Sequence, residues 1–441
     1  MPDAMPLQAN RSEPPHLAVG VSADPAKPSR GRVNSIDLLR GIVMVIMMLD
    51  HTRDFLHYGV FQFDPLDLSK TNTALFLTRW ITHFCAPVFV FLAGTGAFLQ
   101  GARGRSKREL SRFLITRGLW LIVLEFTVVR LFAFFNVDPR FLLFLQVIFV
   151  IGFSMIVLAA LIHLPLKVIA GFGLLMIALH NFFDRYPATP WRGPQSPVPS
   201  WSAKLWMLLH QPGLFPIGPR FPSPLVFILY PVIPWIGVMA VGYAFGGLYK
   251  KDVSVKQRRR WLLIIGGVAT WLFIFIRAID KYGEPQLWHR QKNVLFTILS
   301  FVNTTKYPPS LDYLLMTLGP AILLLAFFEP GRNAVIAASR SASSALGNFF
   351  ITFGRVPLFY YLLQWFTAHT IAIVLHLVFG KPVRWLFQTP VEWFTNPPLG
   401  NGFNLFVVYL SWIGGVLLLY PLCKWFAGLK ARRRDWWLSY L

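Results

Sequence analysis

Hydrophobic residues in this chain run in long blocks separated by polar and basic segments. A bilayer hydrocarbon core needs roughly 20 residues of helix to cross it. Ten blocks reach that length, at about 35–56, 73–100, 112–134, 141–161, 165–183, 223–249, 260–279, 310–328, 350–379 and 403–427. The pattern predicts an all-α fold, a polytopic membrane helix bundle of about ten transmembrane helices. The apolar piece from Val294 to Val302 is too short to cross and reads as a half-helix or interfacial segment.

Ahead of the first block, residues 1–33 are rich in Pro, Ala, Ser and Gly, without apolar periodicity or the core of a secretory signal. They read as a disordered cytoplasmic tail, followed by a membrane domain over 34–428 and a basic cytoplasmic tail over 429–441. The longest connection, 184–222, carries Pro187, Pro190, Pro194, Pro197 and Pro199 beside Trp191, Trp201 and Trp206. Proline stiffens such a loop and tryptophan favours an interface or a sugar face, so it reads as an outer cap or an acceptor-binding lid.

Composition narrows the classes. With 55% hydrophobic and 14% charged residues, the chain departs from soluble proteins, which are about 25% charged. A soluble enzyme, a disordered scaffold and a nucleic-acid-binding domain are excluded. The net charge of +23 is sided. An even number of spans places both termini on one side, where the segments carry 23 Lys and Arg in 101 residues, against 12 in 112 on the other. Short basic runs, RGRSKR at 103–108, KKDVSVKQRRR at 250–260 and KARRRD at 430–435, sharpen the contrast. By the positive-inside rule both termini are cytoplasmic. Two remote cysteines, Cys85 and Cys423, offer neither a disulfide framework nor a zinc site, and no metal is expected.

Charges inside a bilayer cost at least a few kcal/mol each, about 2.5 to 3.5 on insertion scales, so those present are functional candidates. The first block carries two clusters. Asp37 and Arg40, three apart, share a helix face at the inner end. At the outer end Asp50, His51, Arg53, Asp54 and His57 fall within eight residues. His51 is the first choice for a general base, with Asp54 to orient it, and His57 is the second. Arg79 and His83 share a face near the same end of the second block, and Lys306 and Tyr307 stand before a double proline. His369 and His376, seven apart, lie on one face of the ninth. Asp50, His51, Asp54, His57 and His83 are thus catalytic candidates, and Arg79, Lys306, Tyr307 and His369 candidates for binding the substrate. Glu125, Arg117 and Arg130 on the third block read as packing pairs. Arg40, Arg117 and Arg355 form a basic inner pole able to meet an anionic cytosolic cofactor.

The segments RVNSIDLLRGIVMVIMMLDHTRDF, HFCAPVFVFLAGTGAFL, YPVIPWIGVMAVGYAFG, KYPPSLDYLLMTLGPAILLL and FGRVPLFYYLLQ, in that order, resemble bacterial relatives of the heparan-alpha-glucosaminide N-acetyltransferase family, within the wider transmembrane acyltransferases. The resemblance implies a multi-pass protein of the bacterial cytoplasmic (inner) membrane. It implies transfer of an acetyl or other acyl group from cytosolic acyl-CoA, as donor substrate, to an amine or hydroxyl of an outer-side glycan or lipid. Where lysosomal members place an asparagine assisting a loop histidine, this chain has Asp50, and it lacks their histidine-alanine-tryptophan stretch. A rival reading of the same charges is a proton relay in a transporter or flippase of a lipid or sugar conjugate. A further rival is a haem-b carrier ligated by His51, His83, His369 or His376.

Overall fold

The computed structural model describes residues 33–221, 223–329, 343–389, 392–393, 398–433 and 435–440. Of the segment read as a disordered tail, all but Val33 lies outside the described residues, as does Arg434 of the basic C-terminal run. The helices are α1 (Asn34–Leu56), α2 (Thr73–Ile81), α3 (Cys85–Gly101), α4 (Lys107–Leu124), α5 (Arg130–Phe134), α6 (Val147–Leu161), α7 (Leu166–Leu179), α8 (Trp201–Leu209), α9 (Val232–Phe245), α10 (Val255–Ile279), α11 (Val294–Val302), α12 (Leu311–Phe328), α13 (Ser343–Arg355), α14 (Pro357–Val378) and α15 (Leu405–Arg432). The strands are β1 (Phe141–Leu145), β2 (Gly213–Pro216) and β3 (Leu225–Ile228). Helix starts follow local chemistry: Asn72, Ser254, Asn293, Ser310 and Asn404 each accept a backbone N–H of the first turn, and Ser106 with Glu109 closes a capping box.

Seven helical segments among the described residues are long and apolar enough to cross a membrane: Thr73–Gly101, Leu166–Arg185, Val232–Tyr249, Val255–Ile279, Leu311–Phe328, Pro357–Val378 and Leu405–Arg432. The protein is a polytopic helical membrane protein. Of the three other predicted crossings, α1 has the length, 23 residues, but carries Asp37, Arg40, Asp50, Arg53 and Asp54. The third block folds as α4 and α5 joined through a π-helical turn, Glu125–Val129. The fourth departs from expectation: 141–145 is strand, which leaves α6 with 15 residues, about 22 Å at 1.5 Å per residue and short of a full crossing. The ninth block is interrupted where Val356 leaves helical geometry ahead of Pro357, the first residue of α14.

The all-α expectation is corrected by a three-stranded sheet of order β1-β3-β2. β1 runs parallel to β3, from Phe141 opposite Leu225 to Leu145 opposite Ile228. β2 pairs antiparallel with β3, from Gly213 opposite Ile228 to Pro216 opposite Leu225. Runs of four or five apolar residues suit a strand or a helix equally by periodicity, and here the pairing partners decide.

At the centre of the bundle, α1 touches α3, α12, α13, α14 and α15. Its crossing with α13 depends on two glycines. A side-chain carbon at Gly41 would collide with the Phe350 carbonyl, and one at Gly354 with the Asp37 carbonyl, so the backbones meet where no larger residue fits. The outer ring faces lipid: only 22% of the apolar windows of α10 and α15 is buried, leaving Trp271, Leu417 and Trp425 exposed.

Candidate functional site

The polar residues of the late part of α1 converge on one carboxylate. Arg79, brought over by α2, donates from Nη1 to both oxygens of Asp50 at 2.8 and 2.7 Å. Arg53 Nη2 lies 3.0 Å from Asp50 Oδ1, one turn along α1, and Lys306 Nζ lies 3.9 Å from Oδ2. Asp54 completes the group through Arg53 Nη2 at 2.5 Å. Three cations and two carboxylates leave a formal charge of +1 in a site where Asp50 and Arg79 side chains are only 13% and 15% exposed.

Two histidines border this hub with ring nitrogens uncommitted. His51 packs its ring on Trp365 of α14, centroids 3.7 Å apart, and its buried Nδ1 has no hydrogen-bond partner among the described residues. His83 is fully buried, and neither ring nitrogen has a partner there. A 3-10 turn, Thr82–Phe84, places it between α2 and α3, and Tyr313 of α12 donates to its backbone carbonyl at 2.8 Å. Arg53 Nε and Nη1, Gln364 on α14 and Gln146 Nε2 are also buried without partners among the described residues. Leaving a buried polar group unpaired costs about 1–3 kcal/mol, so these groups are candidates to meet a polar ligand or ordered water.

Several expectations change. Asp54 does not orient His51: its carboxylate is taken by Arg53 and no hydrogen bond joins it to the ring among the described residues. His57 caps the end of α1, where its Nδ1 accepts the Gly59 N–H at 3.1 Å. Burial, with the charge of Arg53 adding, holds its pKa down to about 4, and a ring whose acceptor nitrogen is occupied is a poor base. His369 lies apart from the hub, stacked between Phe55 and Phe135 at 4.4 and 4.1 Å, with nitrogens facing the Phe132 and Leu386 carbonyls at 3.0 and 2.8 Å. That leaves no ring atom for a substrate. Tyr307 stays close, its ring 5.2 Å from Lys306 Nζ and its hydroxyl 3.5 Å from that of Tyr230.

Glu125 pairs with neither Arg117 nor Arg130. It accepts the Phe149 N–H at 2.9 Å at the start of α6, while Arg130 donates to the Asn136, Asp138 and Phe141 carbonyls. The π-helical turn that swings Glu125 inward was invisible in residue spacing, though such turns often accompany functional sites. Trp365 and Gln364 beside the hub had no role in the sequence reading, since aromatic and amide roles look alike in a membrane sequence, and Arg53 was placed in the outer cluster without a role of its own.

At the other end of α1, Arg40 Nη1 meets Asp37 Oδ1 and the Gly354 carbonyl, both at 3.1 Å, which ties the ion pair to the α1–α13 crossing. Arg355, one residue on, is exposed. Arg117 of α4 is near enough to Arg40 to feel its charge and sits 6.0 Å from the Phe113 ring. The C-terminal run is no free tail there: Leu438 is buried and the Tyr440 hydroxyl meets that of Thr116 at 2.8 Å. Among the described residues no group of three or more His, Cys, Asp or Glu could hold a metal ion.

One end of α1 therefore presents guanidiniums and the other a charged, histidine-bordered hub. No curated protein matches this chain. The sequence model of the family described as heparan-alpha-glucosaminide N-acetyltransferase, catalytic, matches residues 32–276, which includes Arg40, Asp50, His51, Arg79, His83, Arg117 and Glu125. The match spans more than half of the chain, which belongs to the heparan-alpha-glucosaminide N-acetyltransferase catalytic family, a family of membrane acetyltransferases that use acetyl-CoA as donor.

Proposed function

We propose that this protein transfers an acetyl or other acyl group from cytosolic acyl-CoA to an amine or hydroxyl on a glycan or lipid at the outer face of a bacterial cytoplasmic membrane. The observation that carries this reading is the buried hub around Asp50, where His51 and His83 keep ring nitrogens uncommitted. In this reading both termini are cytoplasmic, as the basic segments support. The Arg40 end then faces the cytosol, and Arg40, Arg117 and Arg355 receive the CoA phosphates, for which guanidinium forks are suited.

At the hub, His51 takes the proton of the acceptor N–H or O–H as the nitrogen or oxygen attacks the thioester carbonyl. The new acyl bond forms, the C–S bond breaks, and the CoA thiolate leaves with a proton returned by the imidazolium. His83 is the second choice for this base, in place of His57. An aspartate at position 50 is a poor donor to an oxyanion, but it holds three cations around itself. The buried Nε and Nη1 of Arg53 supply donors that would stabilise the developing negative charge. The same groups would serve equally if the acyl group rested on histidine between donor and acceptor.

The test uses the purified full chain in vesicles with labelled acetyl-CoA and an envelope glycan and lipid extract. Label transferred to an acceptor, with free CoA released in equal amount, is the expected result. An absence of both, with extracts and acyl-CoAs of several chain lengths, would refute the proposal.

A further inference from the structure

A histidine base is commonly held and tuned by a carboxylate on its second nitrogen, and His51 has none. Its buried Nδ1 is without a hydrogen-bond partner among the described residues, and Asp54, spaced to reach it, is bound by Arg53 at 2.5 Å. The charges near enough to act on the ring are Asp50, Arg53 and Asp54 on its own helix and Lys306 ahead of α12. Arg79 of α2 is fixed on Asp50, and His83 is close enough to Asp50, Arg53, Arg79 and Lys306 to feel the same charges. Three cations against two carboxylates disfavour a further positive charge, yet a base that takes a proton from the acceptor becomes one.

What α14 presents to this ring is an indole. Trp365 is 7% exposed, and its ring centroid lies 3.7 Å from that of His51 with a tilt of 36°. Edge-to-face pairs keep their centroids about 4.5–7 Å apart, so at this separation and tilt the two faces overlap. The indole is itself held in place. Phe55, one turn further along α1, meets it edge-on at 6.0 Å and 81°, so two rings four residues apart on α1 flank it. Tyr361, one turn back along α14, is buried beside it. The face of tryptophan is the aromatic surface that attracts a cation most, more so where water is excluded.

We infer that Trp365 is the positioning residue of His51, its face fixing the imidazole and stabilising the imidazolium that exists between loss of the acceptor proton and its return to the CoA thiolate. The inference rests on the acyl-transfer reading for that step, but the ring pairing is measured without any transfer.

The full chain, labelled with 15N-histidine in micelles, is titrated by NMR, the His51 signals being those lost in His51→Gln. The titration midpoint of His51 should fall by about one pH unit in Trp365→Leu and by less in Trp365→Phe, which keeps an aromatic face. Single-turnover transfer should fall by roughly 5- to 30-fold in Trp365→Leu, partly rescued in Trp365→Phe, with acetyl-CoA affinity unchanged. Fluorinated tryptophans at 365 nearly keep the shape of the ring while drawing electron density from its face. Each added fluorine should lower midpoint and transfer further, and this series carries the test should Trp365→Leu not fold. A His51 midpoint that ignores the fluorinated series, or transfer indifferent to it, would overturn the inference. A midpoint that follows the series in a protein that transfers no acyl group would uphold the ring pairing and overturn the acyl-transfer reading alone.

Discussion

Replacing Asp50 by Asn keeps the shape of the hub and removes the one charge that three cations share. Arg79 binds both Asp50 oxygens, Arg53 lies at 3.0 Å and Lys306 at 3.9 Å. The formal charge of the five groups then rises from +1 to +2 in a site whose central side chains are 13% and 15% exposed. Removing one partner of a buried ion pair costs about 3–5 kcal/mol, chiefly by leaving the other charge uncompensated. Arg79→Gln should cost a similar amount. The double variant returns the hub to +1, so its cost should fall short of the summed single costs by about 2 kcal/mol or more. Denaturant unfolding of the four proteins in mixed micelles measures the cycle. Costs that add within about 0.5 kcal/mol, or an Asp50→Asn cost below about 1 kcal/mol, would refute the claim that one buried network organises this end of the bundle.

Arg355→Ala should weaken CoA binding by about one to two decades, as loss of a charge-assisted contact of about 1.5–3 kcal/mol requires, without changing stability; calorimetric titration and thermal unfolding check the two halves. Arg40→Ala should lower both, because it also gives up contacts to Asp37 and Gly354. Gly354→Ala should destabilise by about 1–3 kcal/mol, since its methyl would meet the Asp37 carbonyl at the α1–α13 crossing, and a denaturation midpoint equal to that of the parent would contradict this. His57 stays neutral in the fold down to about 4, whereas a free histidine protonates near 6.5. The unfolded chain therefore gains protons first as pH falls, and the contribution of this residue to stability is present above about 6.5 and lost between there and about 4. A pH series on parent and His57→Gln should show a steeper loss across that window in the parent than in the variant, and equal slopes would contradict this.

Much of this architecture could be read from apolar block length, because the bilayer imposes helices of a fixed span. The concentration of chemistry on α1 was equally legible, since charged residues are too costly in lipid to occur without partners. Short elements were not. FLLFL at 141–145 and LVFI at 225–228 carry no helix-or-strand signal of their own, and only their mutual pairing makes a sheet. Helical spacing says which residues share a face but not which side chain arrives first. Asp54 was placed three residues from His51, yet Arg53, adjacent to Asp54, took its carboxylate. His57 and His369 illustrate the same limit, because the carbonyl and N–H groups that occupy their nitrogens come from loop geometry and from distant helices.

The central claim is that acyl transfer takes place at the Asp50 hub with His51 as the base. It is tested most directly by single-turnover transfer from labelled acetyl-CoA to envelope extract in vesicles, comparing the parent with His51→Ala. CoA binding in the variant should be unchanged, and transfer should fall by about 10²- to 10⁴-fold, the usual loss on removing a general base. Transfer at the parent rate in a folded, CoA-binding His51→Ala protein would contradict the account.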